Sequence, residues 1–407
     1  SDVEDAEALH AVVIGGGIAG TSSAHALATR GWQVTLIERH PAIAQEASGN
    51  PLGVLYPRLA GQDIVLSRLA LHGYLNSLRL IRRLGLTDRQ HARCGLLQTA
   101  FDACELARCE AVNARGLPPD VVRLVDADEA STIAGMPLQH SALYFPEAGW
   151  VDPVAFCLAL ASHPAIHVMP HRHALDLRQT AGGWQVWDSA QLIASAPVVI
   201  VAGANETSAF AQTSHLPLEP VRGQPTFSHA NEASRGLKTV LCSDGYVSPA
   251  RDGRHVIGAT FSPDDTALDV RDSDHQANLA MLRRLCPPLH ACLDTQAPMG
   301  RVALRCATPD YLPMAGPVLD SAALLANPPR HTADPASLPW LPGLYVNTGH
   351  GSKGLINAPL CAEMLASALC GEPAPVDDKL LAALDPNRFL LRNMGLKRLV
   401  SGLSAQP

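Results

Sequence analysis

One run near the N-terminus constrains the fold of this chain more than any other feature. Ala11-Val12-Val13-Ile14 is a short β-branched strand, and Gly15-Gly16-Gly17-Ile18-Ala19-Gly20 follows it without a spacer. A helix is expected from there to about Arg30, where Gly31 stops it. Gln33-Val34-Thr35-Leu36-Ile37 then reads as a second strand ending on Glu38. Strand, GxGxxG turn, helix, strand and terminal acid together make the βαβ unit that binds dinucleotides. Gly15 permits the tight turn, Gly17 lets the backbone approach a pyrophosphate, and Gly20 lets the helix pack on the strand. The helix N-terminus offers free N–H groups and a partial positive charge to phosphate. Glu38 is placed to accept hydrogen bonds from an adenosine ribose.

Two later glycine turns decide between nucleotides. Pro197-Val198-Val199-Ile200-Val201 leads into Ala202-Gly203-Ala204. Gly343-Leu344-Tyr345-Val346-Asn347 leads into Thr348-Gly349-His350-Gly351-Ser352-Lys353-Gly354, with a helix expected from about Leu355 to Leu369. A nicotinamide dehydrogenase usually keeps its nucleotide domain in one block. Pieces at both ends of the chain favour FAD, and the second helix N-terminus suits the O2 side of a reduced isoalloxazine.

Composition sets outer limits. A chain of 407 residues suits two associated domains, and 47% hydrophobic against 17% charged residues describes a well-packed protein. A net charge of −7 argues against a globally basic nucleic-acid binder but leaves room for a local basic patch. Apolar stretches are interrupted well before the ~20 residues of a membrane span, and Ser1 to His10 is acidic and polar, unlike a secretory signal. A cytoplasmic protein without membrane association is expected. The ten cysteines contain no CxxC pair, so free thiols are expected. His163, His167, His171 and His173 are interrupted by Pro164 and Pro170 and lack acidic or Cys partners, so no metal is expected.

The order of motifs resembles the D-amino-acid oxidase-like flavoproteins, which include glycine and sarcosine oxidases. The matching pieces are VVIGGGIAG, Gly149-Trp150-Val151-Asp152-Pro153, VVIVAGA, Val221-Arg222-Gly223-Gln224, Gly245-Tyr246-Val247, Val256-Ile257-Gly258-Ala259-Thr260 and Arg305-Cys306-Ala307-Thr308-Pro309-Asp310. The resemblance implies an α/β fold: a Rossmann-type FAD-binding domain with an inserted α+β substrate domain on a mainly antiparallel sheet. The FAD-binding domain would comprise 11–85, 145–215 and 300–375, and the substrate domain 86–144 and 216–299. Residues 1–10 would be a linker-like lead-in and 376–407 a C-terminal tail. Asp152-Pro153 independently reads as a helix N-cap and first turn.

A narrower resemblance rests on Ala47-Ser48-Gly49-Asn50-Pro51-Leu52-Gly53-Val54-Leu55-Tyr56-Pro57, Leu312-Pro313-Met314, Gly351-Ser352-Lys353-Gly354-Leu355, Ala358-Pro359-Leu360-Cys361-Ala362-Glu363 and Pro386-Asn387-Arg388. These strings are similar to the FAD-dependent oxidoreductase half of the MnmC family of bifunctional tRNA wobble-uridine modification enzymes. The resemblance implies a tRNA substrate and a methyltransferase partner, either N-terminal to this chain or separate. The implied reaction removes the carboxymethyl group of 5-carboxymethylaminomethyl-2-thiouridine, giving 5-aminomethyl-2-thiouridine and glyoxylate. A small-molecule oxidase of glycine, sarcosine or a D-amino acid is an alternative, as is a non-catalytic flavin-bearing RNA-binding protein.

Carried over position by position, the resemblance implies FAD contacts from Gly15, Gly17, Ile18, Ala19, Gly20, Glu38, Arg39, Ala47, Ser48, Gly49, Asn50, Gly53, Ala174, Ala202, Gly203, Gly349, Gly351, Ser352, Lys353, Gly354 and Leu355. Arg305 matches the arginine that clamps substrate carboxylate in glycine oxidase-like relatives, and its planar fork suits a carboxylate. A domain-interface salt bridge is the other reading of that residue. Tyr246 would assist the clamp, or else be a half-buried core tyrosine. Lys353 would stabilise reduced flavin, or else be a surface lysine. Sarcosine oxidases place their flavin-linking cysteine where this chain has Ala303, so non-covalent FAD is expected despite Cys306.

A tRNA substrate needs basic surface. Ile64 to Leu84 reads as an amphipathic helix with Leu66, Leu69, Ala70, Tyr74, Leu78 and Ile81 inward, and Arg68, His72, Arg79 and Arg83 outward beside Arg82. Arg388 and Arg392 add basic residues near the C-terminus. These two clusters are the candidate RNA contacts, with Arg68, Arg79, Arg82, Arg83, Arg388 and Arg392 at their centre. A plainly solvated helix face is the alternative.

Overall fold

The computed structural model describes residues 9–402. The acidic run Asp2 to Glu7, expected to act as a linker, lies outside the described residues, as do residues 403–407.

The first sheet has six strands: β1 (His10–Ile14), β2 (Gln33–Ile37), β3 (Ile166–Met169), β4 (Val198–Val201), β5 (Met314–Leu319) and β6 (Trp340–Thr348). Their spatial order is β5-β6-β4-β1-β2-β3. All neighbours are parallel except β5, which runs antiparallel to β6 at one edge. β1 and β4 are almost continuously apolar because both faces of the sheet are covered. Side chains alternate across the sheet, so Ala11 and Val13 pack under α1 (Ile18–Ala28) and the later helix Gly354–Leu369. Val12 and Ile14 face the other way, against Trp184 and Val186 of an antiparallel meander spanning residues 176–196.

α1 begins at the glycine turn, where Gly15 adopts φ +109° and a Cβ would come within 2.5 Å of the Ala202 carbonyl oxygen. A Cβ on Gly20 would overlap the Gly15 carbonyl oxygen, which is the close helix–strand approach expected of the motif. α2 (Val65–Leu84) forms where the amphipathic pattern predicts it, but its inward face is rotated. Leu66 is 46% exposed, whereas Ser67, Gly73 and Ser77 are buried. The cause is a second backbone. The helix Gly354–Leu369 lies so close that a Cβ on Gly73 would strike the Ile356 carbonyl, and Ser77 Oγ donates to the Leu355 carbonyl at 2.7 Å. Small residues are buried there because backbones touch. α3 (Pro153–Ala161) starts as expected, with the Asp152 carboxylate accepting from Ala155 N–H at 3.1 Å and proline in the first turn.

The second sheet has eight strands, drawn from residues 96–145 and 226–300. It is antiparallel except where Val240–Cys242 runs alongside Leu96–Thr99. The expected class holds: a Rossmann-type sheet beside a mainly antiparallel one. A three-stranded sheet centred on Glu219–Gly223 and flanked by Ala303–Ala307 lies in sequence between the two.

The C-terminal segment corrects one expectation. Arg388 does not face RNA: it is fully buried and donates to both Asp310 oxygens at 3.0 and 2.9 Å and to the Pro313, Asp385 and Leu312 carbonyls. Asn387 Oδ1 accepts from Leu319 N–H at 2.9 Å and its amide donates to the Pro317 carbonyl at 3.0 Å. The Pro-Asn-Arg string is therefore a clasp on edge strand β5.

Candidate active site

A cleft of about 650 Å³ runs from the N-terminus of α1 to that of α4 (Gly354–Leu369). Its walls include Gly17, Ile18 and Ala19 from the first turn, Ala47, Ser48, Asn50 and Gly53 from the next loop, and Ala202 after β4. Gly349, Gly351, Ser352, Lys353, Gly354 and Leu355 close the far end, and Arg305 and Tyr246 line the same space. Sequence positions more than 300 residues apart thus meet because β1, β4 and β6 lie side by side and all end at this edge.

Several expected contacts lie outside this lining. Gly15 and Gly20 shape the turn from behind. Glu38 is buried, its carboxylate accepting from Gly16 N–H at 3.2 Å and His40 N–H at 3.0 Å, so it braces the glycine turn directly. Arg39 is engaged by Glu46 and, at 3.1 Å, by Glu206. Gly49 and Gly203 sit behind the lining loops, and Ala174 packs in the cluster beneath β1 and β2.

Reading the sequence missed the residue that holds the Ala47–Asn50 loop. Arg301 donates to Asn50 Oδ1 at 2.9 Å and to the Gln45 and Glu46 carbonyls at 2.9 and 2.6 Å. Gly49 is glycine because a Cβ would meet that guanidinium. Arg301 shares the parity of Ala303 and Arg305, a period-2 signal that the sequence does carry. Ser48 Oγ in turn accepts from Ile18 N–H at 3.0 Å, fastening the loop to the first turn of α1.

Arg305 lies on the strand Ala303–Ala307, paired across from Val221. Its side chain runs diagonally over Gly223, where a Cβ would come within 2.7 Å of the guanidinium carbon. Nη1 donates to the Thr260 carbonyl at 3.1 Å. Among the described residues it has no carboxylate partner, so the salt-bridge reading is set aside. Burial pulls its pKa down, only partly opposed by Tyr246. Burial pushes Tyr246 up to about 12, so its hydroxyl keeps its proton. Lys353, over the Tyr56 ring at 4.9 Å, has its pKa lowered by burial and likewise lacks a carboxylate partner among the described residues. The site thus holds a half-buried cation and a phenol with spare hydrogen-bonding capacity, ready for an anionic group.

Cys306 also lines the cleft. Its thiol is buried 3.7 Å from Thr348 Oγ1, and burial raises its pKa to about 11.

The candidate RNA residues separate. Arg79, Arg82 and Arg83 are exposed without an ion pair among the described residues. Arg68 is spent on Asp63 at 2.9 Å and Asp377 at 2.6 Å, which corrects its assignment. Arg392 is 42% exposed, stacked on Phe389 and 3.9 Å from Asp310.

The protein fits an FAD-sized ligand on its own geometry. A Cβ on Gly17 would meet only Ser48 Oγ, at 3.2 Å, so the space in front of the helix N-terminus is open toward the cleft. The profile of the family described as FAD dependent oxidoreductase matches residues 10–368. The chain belongs to the FAD dependent oxidoreductase family. Within that family it is 58% identical to the tRNA 5-methylaminomethyl-2-thiouridine biosynthesis bifunctional protein MnmC of Methylobacillus flagellatus, over 98% of this chain and 62% of the relative. The protein of the same name from Chromobacterium violaceum is 48% identical, over 96% of this chain and 60% of the relative. The chain thus spans about three-fifths of the length of these relatives. Glycine oxidase from Geobacillus kaustophilus shares the fold, with TM-score 0.74 and 22% identity over 93% of this chain and 98% of that one. Iminodiacetate oxidase from a Chelativorans species aligns with TM-score 0.70 and 26% identity over 92% of this chain and 98% of that one. Among the described residues no helix is long and apolar enough to cross a membrane.

Proposed function

We propose that this chain oxidises the carboxymethylaminomethyl group of 5-carboxymethylaminomethyl-2-thiouridine at the tRNA wobble position, yielding 5-aminomethyl-2-thiouridine and glyoxylate. The carrying observation is the half-buried Arg305, without a carboxylate partner among the described residues, beside Tyr246 in the cleft of a flavoprotein fold. The names of the two bacterial relatives above supply the tRNA context, and iminodiacetate, in the name of a solved neighbour, is likewise a secondary amine bearing carboxymethyl groups.

FAD, when bound, supplies a two-electron acceptor for the C–H bond between nitrogen and carboxylate. Arg305 would bind the carboxylate bidentately, with the Tyr246 hydroxyl donating a further hydrogen bond. Its tie to the Thr260 carbonyl fixes the fork, so the anchored carbon is held in one orientation. Water then adds to the oxidised carbon and its bond to nitrogen breaks, releasing glyoxylate and leaving the amine on the base. Lys353 would place positive charge near the site of electron gain. Gly17, Ser48, Glu38 and the first turn of α1 would hold the dinucleotide, non-covalently given the buried, protonated Cys306.

We extend the same reading to the division of labour: segments 11–85, 145–215 and 300–375 carry the cofactor and segments 86–144 and 216–299 form the substrate domain, with Arg305 reaching the substrate from the cofactor-carrying part. Arg79, Arg82 and Arg83 would touch tRNA phosphates. A methyltransferase, fused or separate, would act on the same nucleoside, and the setting would be the cytoplasm.

The test is to incubate purified protein with tRNA bearing the carboxymethylaminomethyl group and assay glyoxylate. Release from this tRNA and not from glycine or sarcosine is expected. Turnover of the free amino acids with none on the tRNA would replace this reading by a small-amine oxidase.

A further inference from the structure

Phe145, Phe156, Phe210 and Phe227 are buried in the core, as large apolar rings normally are. Phe261 and Phe101 are not: they are 52% and 40% exposed, and both line the cleft that holds Arg305. Neither ring hangs on a loose segment. Phe261 follows Thr260, whose carbonyl receives the Arg305 guanidinium. The turn beyond it is pinned by the fully buried Arg222, which donates to the Ala267 and Asp269 carbonyls at 2.6 and 2.8 Å and to Asp274 at 3.0 Å. Phe101 immediately precedes Asp102, whose carboxylate caps the helix Ala103–Ala114 by accepting from Glu105 N–H at 2.7 Å.

We infer that Phe261, aided by Phe101, is the stacking platform for the pyrimidine base to which the reacting amine is tethered. The inference rests on the reading above and deepens it by naming what selects a nucleobase-borne amine over a free one. Distance supports it. The Arg305 guanidinium carbon is 6.0 Å from the centre of the Phe261 ring. In the proposed substrate four bonds separate the carboxylate carbon from the base, and four bonds of about 1.5 Å in zig-zag span about 5 Å. A carboxylate on Arg305 therefore leaves the base within reach of the Phe261 face. Base–aromatic stacking tolerates different ring orientations and needs no hydrogen-bond code, which suits a base presented through a flexible tether. Glycine, sarcosine and iminodiacetate carry no ring, so for them these two phenylalanines would contribute nothing specific.

The experiment is stopped-flow reduction of the bound flavin by tRNA bearing the carboxymethylaminomethyl wobble uridine. Wild type is compared with Phe261→Ala, Phe261→Leu, Phe261→Trp and the double variant Phe101→Ala/Phe261→Ala, each checked for full flavin content. The half-saturating tRNA concentration should rise roughly 5- to 150-fold in Phe261→Ala, and further in the double variant. The limiting reduction rate should change far less. Phe261→Leu, apolar but without a π-face, should remain impaired, and Phe261→Trp should recover. Saturation unchanged in Phe261→Ala, or restored equally by leucine, overturns the stacking role while leaving the proposed reaction standing. Wild-type flavin that this tRNA does not reduce, but free iminodiacetate does, overturns the reaction itself and the platform with it.

Discussion

The guanidinium of Arg305 lies directly over the bare backbone of Gly223, the residue diagonal to it across the strand pair. Gly223 is therefore part of the carboxylate site although it carries no functional group. Its replacement by alanine should displace the fork while leaving the flavin in place. The half-saturating concentration of carboxylate substrate should rise by about tenfold or more in Gly223→Ala. Arg305→Ala should lower the rate constant for flavin reduction at low substrate by roughly 30- to several-thousand-fold, the cost of about 2–5 kcal/mol for truncating a buried charged pair. Rapid-reaction titration of both variants checks this, and a Gly223→Ala enzyme indistinguishable from wild type would remove Arg305 as the anchor.

Gly17 separates cofactor binding from folding. Because a Cβ there meets only Ser48 Oγ, the polypeptide itself should tolerate Gly17→Val. Apoprotein melting temperature should stay within a few degrees of wild-type apoprotein, while FAD content and the stabilisation it confers by mass action are lost. Calorimetry with and without added FAD distinguishes the two effects.

Two groups of arginines should behave oppositely. Arg388→Met leaves Asp310 without its main partner and releases the Asp310–Pro313 turn that leads into β5, so stability should fall by about 3–5 kcal/mol in chemical denaturation. The triple variant Arg79→Ala/Arg82→Ala/Arg83→Ala should keep its stability but bind tRNA more weakly, with a shallower dependence on salt. Unchanged tRNA affinity in the triple variant would move the RNA surface off α2.

The expectation for acid comes from Asp385, buried beside Arg388. Burial raises its pKa from 3.8 to about 6, against the hydrogen bonds from Asn387. A raised pKa means that the folded state holds this proton more tightly than the unfolded chain does. Its contribution to stability is complete below about pH 4 and is lost as pH rises through about 6. Relative to Asp385→Asn, the wild type should therefore lose stability between about pH 4 and pH 6 and run parallel above that. Paired melting curves across this range check the sign.

The dinucleotide motif was legible because each of its parts answers to local chain geometry: a β-branched strand, three glycines and an acid at fixed spacing. Arg305 and Tyr246 were reachable through family likeness, and the structure brings them to one cleft. What the sequence hid was set by contacts between distant segments. Leu66 reads as core by periodicity, but Gly73 and Ser77 turn inward because another helix backbone lies against them. Arg388 reads as surface charge, and nothing local reveals that Asp310 and three carbonyls await it. Arg301 had a signal, its shared parity with Arg305, which the nearby Cys306 overshadowed.

The Asn387 clasp also changes where this fold can be cut. A boundary drawn at residue 368, where the family match ends, would strip the side chain that occupies the outward N–H of Leu319 and the outward carbonyl of Pro317. The freed edge would then be a template for a strand from another molecule. The segment from 386 to 388 would thus guard against self-association, and a trimmed version of this protein should aggregate before it loses its flavin.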